Sequence, residues 1–103
     1  MSSTVFVKSG RVQDILAPTT APTVTGAWVF KDAPKSTIQV VATAAATVIF
    51  DVSNDGTNAI ATVLGTVTLA GAGSDGFTTD APWKYIRARV TANSGTVSAL
   101  ICN

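Results

Sequence analysis

Apolar and polar residues alternate with a period of two along most of the chain, and no window repeats apolar residues at helical spacing. The pattern predicts an all-β protein. Residues 4–8 and 11–16 read as two strands around Ser9-Gly10, an N-terminal hairpin or extended arm, with Val5 and Val7 sharing a face. Residues 17–22 carry two prolines, which donate no ladder hydrogen bond, and are expected to form a loop or edge crossing. Residues 24–31 predict a strand with Val24, Gly26, Trp28 and Phe30 on one side, Trp28 being the expected core anchor. Two β-branched runs follow, 37–43 and 46–53, meeting at the weakly marked turn Ala44-Ala45. Because the stretch from Val40 to Phe50 is uncharged, it must be buried in a sheet or an interface; on an open edge it would aggregate.

The second half is punctuated more clearly. Asn54-Asp55-Gly56-Thr57-Asn58 is a turn whose residues tolerate positive φ, and apolar alternation resumes at Ala59 and Ile60. Gly65 interrupts residues 60–69 as a bulge or a break between two short strands, and the glycines of 71–76 predict a loop pinned by Phe77. Residues 83–91 and 96–102, joined by Ala92-Asn93-Ser94-Gly95, read as a final hairpin. About eight short strands at 8 to 12 residue spacing point to a single antiparallel β-sandwich, jelly-roll-like in its strand number. The expected division is an arm or edge hairpin over 1–16 and a sandwich over 17–103.

Composition narrows the function. The 103 residues suffice for one domain, and Ala (16), Thr (16) and Val (13) make it strand-forming. Its charges come from Lys, Arg and Asp alone; the net +1 gives no field that would favour nucleic acid or an anionic membrane. The start lacks the pattern of a secretory signal and no apolar run reaches membrane-span length, so a soluble protein made in the cytoplasm is expected. With no histidine, Ser-His-Asp and Cys-His catalysis lack their base, and a paired-aspartate glycosidase lacks room for a cleft. No enzymatic activity and no cofactor are expected. One cysteine, Cys102, can form neither an internal disulfide nor a zinc site.

Two motifs imitate ligand loops. Asp51-Val52-Ser53-Asn54-Asp55-Gly56 starts like a calcium loop, but its twelfth position is Thr62 where a bidentate Glu belongs, so a hairpin turn with Asp and Asn side chains bonded to local backbone is the expectation. Residues 71–76 have no Lys-Ser/Thr and no helix after them to cradle a phosphate. The most informative segment is Trp83-Lys84-Tyr85-Ile86-Arg87-Ala88-Arg89-Val90, where alternation places Trp83, Tyr85, Arg87 and Arg89 opposite Ile86, Ala88 and Val90. Trp, Tyr and Arg are enriched at protein interfaces. The competing reading has the aromatics capping the sandwich edge and the arginines solvated or paired with Asp75 or Asp80; a sugar platform is a third.

Several ordered motifs, Ser53-Asn54-Asp55-Gly56-Thr57-Asn58, the glycine-rich run from Gly71 to Phe77, Asp80-Ala81-Pro82-Trp83-Lys84-Tyr85-Ile86-Arg87-Ala88 and Ser94-Gly95-Thr96, resemble those of small tailed-bacteriophage virion proteins. The first turn also resembles that of discoidin-like jelly rolls, with Ala59 where those carry an aromatic. The phage resemblance implies a structural virion component similar to capsid decoration, or cement, proteins on the head exterior, bridging major capsid protein subunits, with the protein itself a dimer or trimer. Contacts are then expected from the N-terminal segment, with Val5, Phe6, Val7 and Arg11, and from the Trp83, Tyr85, Arg87 and Arg89 face, the arginines pairing capsid carboxylates. The alternative is a carbohydrate- or receptor-binding module of a tail fibre or spike, or another tail or neck part.

Overall fold

The computed structural model describes residues 12–31 and 33–102. Their strands are β1 (Val12–Thr19), β2 (Val24–Thr25), β3 (Val29–Phe30), β4 (Ser36–Ala42), β5 (Ala46–Ser53), β6 (Gly65–Leu69), β7 (Gly73–Thr79), β8 (Tyr85–Asn93) and β9 (Val97–Cys102), with no helix among them. One sheet runs β1-β9-β4-β7; the other runs β2-β8-β5-β6, with β3 also paired to β8. All pairings are antiparallel. Taking β2 and β3 as halves of one interrupted strand gives eight strands in two four-stranded sheets, the jelly-roll arrangement.

The uncharged run of 40–50 lies in β4 and β5, which are interior strands of the two sheets. Their inward positions Ile38, Val40, Val48, Phe50 and Val52 join Ile86, Ala88 and Val90 of β8 and Val97, Ala99 and Ile101 of β9 in one core. Burial alternates strictly along β4 and β9, and along β8 as far as Val90, as a half-buried pleated strand requires.

Several expectations are corrected. β1 continues through Pro18 to Thr19, and its register against β9 shifts twice, between Asp14 and Leu16 and between Leu16 and Thr19. A proline on such an irregular edge removes no ladder bond that the sheet needs. Ile15 and Leu16 lie in the core, so the boundary at residue 16 falls inside a sandwich strand. The segment before Val12, with the strand expected over 4–8, lies outside the described residues.

The strand expected over 24–31 is broken, because Val24 pairs with Val90 and Val29 with Ile86, five steps on one strand against four on the other. The extra residue reverses the phase, as a bulge does. Val24 and Val29 therefore both pack on the core, while Trp28 is not part of it. At the break the Gly26 amide donates to the Ala88 carbonyl at 2.8 Å.

The glycine-rich stretch is also strand: β7 begins at Gly73 and pairs with β4 in unbroken register through Thr79. Gly76 serves close approach here, since a Cβ on it would overlap the Ile38 carbonyl. Residues 60–69 yield one strand only, from Gly65, while Ile60 and Leu64 donate amide hydrogen bonds to Val52 and Phe50 at 3.1 and 2.8 Å. Finally, β8 and β9 are no hairpin, because they lie in different sheets; β4 and β5, and β6 and β7, likewise cross the sandwich at their connections. Of the consecutive full-length strands, β5 and β6 do pair, through the connection that starts with the Asn54 turn. There Gly56 has φ of 69°, the left-handed conformation the turn needs.

Candidate functional site

The outward positions of β8 are Tyr85, Arg87 and Arg89, and β5 sets Ser53, Asp51 and Ile49 directly opposite them. Asp51 is the sole charge in β5, and cross-strand pairing with Arg87 draws it onto this face. Its Oδ2 accepts from Nε of both Arg87 and Arg89 at 3.0 Å, and its Oδ1 accepts from Nη2 of Arg89 at 3.1 Å. The carboxylate is buried beneath the two guanidinium groups, which remain part-exposed. Burial alone would raise the Asp51 pKa, but the hydrogen bonds and charges of Arg89 and Arg87 outweigh it and hold the group below the usual carboxylate range. The same bonds raise the pKa of Arg89 further.

The reversed phase at residues 26–28 brings Trp28 onto this face, where the Arg87 guanidinium carbon stands 4.6 Å from the ring centroid. Beside it Phe30 and Tyr85, cross-strand partners, meet edge to face with centroids 5.7 Å apart. Lys84 Nζ lies 6.0 Å from the Phe30 centroid, and Phe30 is 48% exposed, high for a residue of its size. The Lys84 amide donates to Asn54 Oδ1 at 3.1 Å, tying the Asn54 turn to the start of β8.

That turn holds no cation site of the kind its sequence imitates. Asp55 Oδ1 accepts from the Ser53 hydroxyl and the Thr57 and Asn58 amides, and Oδ2 from the Asn58 side chain, which together depress its pKa strongly. Asp51, four residues earlier, is taken up by the arginines instead. Among the described residues no three His, Cys, Asp or Glu side chains converge on a point.

Of the residues singled out in the sequence, Tyr85, Arg87 and Arg89 share the face. Trp83 does not join them: it precedes β8, packs against the core and lines an adjoining open cleft of about 160 Å³ with Phe30, Lys31, Pro34, Pro82 and Lys84. This cleft is well below the roughly 300 Å³ at which small-molecule pockets begin. The arginines' carboxylate within the chain is Asp51, not Asp75 or Asp80. Val5, Phe6, Val7 and Arg11 lie outside the described residues.

Sequence reasoning missed Trp28, Phe30, Asp51 and Lys31. A lone aspartate in an apolar strand was a usable signal for Asp51; the phase reversal that exposes Trp28 had none. Lys31 is buried, and its ammonium donates to the carbonyls of Ala33, Pro34 and Ala81 at 2.7, 2.5 and 2.7 Å. Burial lowers its pKa, and the negative charge of Asp80 acts the other way. It fastens the connection after β3 to the one before β8.

The sequence matches no protein-family model, and no curated protein matches it. Its fold is similar to that of two solved structures. The SPBc2 prophage-derived protein YomS superposes with a TM-score of 0.71 at 9% identity, over 98% of this chain and 97% of that one. A protein of Bacillus endospore appendages, described as forming a novel family of disulfide-linked pili, superposes with a TM-score of 0.52 at 12% identity, over 99% and 92%. At such identities the likeness is one of fold: the same sandwich carried by different sequences.

Proposed function

We propose that this chain is a non-enzymatic structural component of a phage particle and, more narrowly, a decoration (cement) protein that binds outside the head across neighbouring major capsid subunits. The observation that supports this most is the end-to-end correspondence of its jelly roll with a prophage-derived protein. Its chemistry agrees: an open aromatic and cationic sheet face suits a flat protein surface, and the cleft lined by Phe30 and Trp83 is too small for an ordinary ligand. Binding to a symmetric shell would repeat each contact many times, and a dimeric or trimeric protein would gain avidity from it. The segment before Val12 is the second contact in this reading. Deleting residues 1–11, which spares Ile15 and Leu16, is its test, and unchanged occupancy on heads would remove that segment from the account.

The disulfide-linked pilus offers a weaker parallel. A chain of subunits joined end to end by disulfides needs two cysteines per subunit, and this sequence has Cys102 alone. The exposed Phe30 favours a second reading, a receptor- or carbohydrate-binding module of a tail fibre or spike. Copy number relative to the major capsid protein, measured by quantitative mass spectrometry of purified particles, separates the two. Hundreds of copies are expected; a handful would assign the protein to fibre, tail or neck, and absence would exclude a virion role.

A further inference from the structure

Arg87 and Arg89 share one carboxylate but share it unequally. Arg89 grips Asp51 with Nε and Nη2, so the side of its guanidinium is occupied by both carboxylate oxygens. Arg87 gives Asp51 only its Nε. Among the described residues its two terminal nitrogens, Nη1 and Nη2, have no hydrogen-bond partner, and the side chain is 23% exposed. These two nitrogens form the end of the guanidinium that binds a carboxylate bidentately.

The group is also immobilised. Asp51 fixes Arg87 through Nε and its guanidinium carbon rests over the Trp28 ring, so little of the rotamer entropy of a surface arginine remains to be lost on binding. Lys84, Arg87 and Arg89 bring three positive charges to this region against the single buried carboxylate of Asp51. The Asp55 carboxylate nearby is occupied within its own turn.

We propose that Arg87 is the anchoring point of the docking face, and that its free nitrogen pair receives an aspartate or glutamate side chain from the surface of a protein partner. The exposed Phe30 beside Tyr85 favours a protein carboxylate over a small free acid, because it adds apolar contact area next to the charge. Asp51, Trp28 and Arg89 are positioning residues in this account. The inference rests on the docking reading above and names the partner's chemistry.

The test is a nitrogen-15 NMR titration of the full chain with the capped tripeptide Ala-Glu-Ala, following the Arg87 Nε–H and the Trp28 indole N–H. The glutamate peptide should move both signals saturably, the glutamine peptide neither. Arg87→Lys keeps the charge but loses the planar fork, and should weaken the response by about tenfold or more while other signals stay in place. Trp28→Phe should weaken it less. No saturable shift at Arg87, an equal response to the glutamine peptide, or a stronger one to inorganic phosphate or methyl glucoside would each overturn the proposal. Since no particle enters this titration, its failure leaves the virion reading to be decided by copy number.

Discussion

Phe77, on the edge strand β7, meets Phe50, in the middle of the opposite sheet, edge to face with ring centroids 5.7 Å apart. Gly65 makes room for the contact, since a Cβ there would stand 2.8 Å from the Phe77 ring. One aromatic pair and one missing side chain thus close the sandwich at its β6/β7 end. Phe77→Ala should cost about 2 to 3 kcal/mol, below the roughly 3 to 5 kcal/mol for losing a fully buried aromatic, because Phe77 is only partly buried. Gly65→Ala should destabilise by pushing that ring aside, and less so when Phe77 is already Ala. Urea denaturation of the two single variants and the double variant measures the coupling; additivity would show that the two sites are independent.

Asp51 makes stability depend on acid. Its folded pKa lies below the unfolded value of about 3.9, so its contribution is fully present above that value and is lost as pH falls through the folded pKa. Asp51→Asn should destabilise by about 2 kcal/mol at neutral pH, a figure below that for a fully buried pair because both arginines reach solvent. Unfolding free energies measured from pH 6 down to pH 2 should show the variant and wild type converging as the carboxylate protonates, an outcome a purely steric role for Asp51 would not give.

Lys31 holds two connections together through three carbonyls. Lys31→Met, which keeps the aliphatic stem and removes the donors, should cost about 2 kcal/mol. Limited proteolysis should then cut first within residues 33–36 or 80–84. An unchanged cleavage pattern together with unchanged stability would leave the lysine without this role.

Gly56→Ala should cost about 1 kcal/mol through its positive φ alone. A Cβ there would meet the Tyr85 ring at 3.4 Å, an ordinary contact, so no steric penalty adds to the backbone one. Thermal unfolding checks the value, and a markedly larger loss would mean that the turn carries more of the β5 to β6 connection than its local bonds account for.

The sequence by itself determined the all-β class, the single sandwich, the spans of β4, β5, β8 and β9, and the separation of Tyr85, Arg87 and Arg89 from the buried side of their strand. Each of these follows from local period-two alternation and from a turn whose residues favour positive φ, so each is written in consecutive residues. Tertiary structure decided the rest. A turn signal marks a reversal without saying whether the next strand pairs in the same sheet or crosses to the other, and β8 and β9 cross. One extra residue opposite β8 turned Trp28 from an expected core anchor into the ring under Arg87. Gly73 and Gly76 read locally as loop, yet the backbone of β4 makes them strand. Asp51 and Arg89 are 38 residues apart in the chain, and the union of their charges depends on which strands the sheet sets side by side.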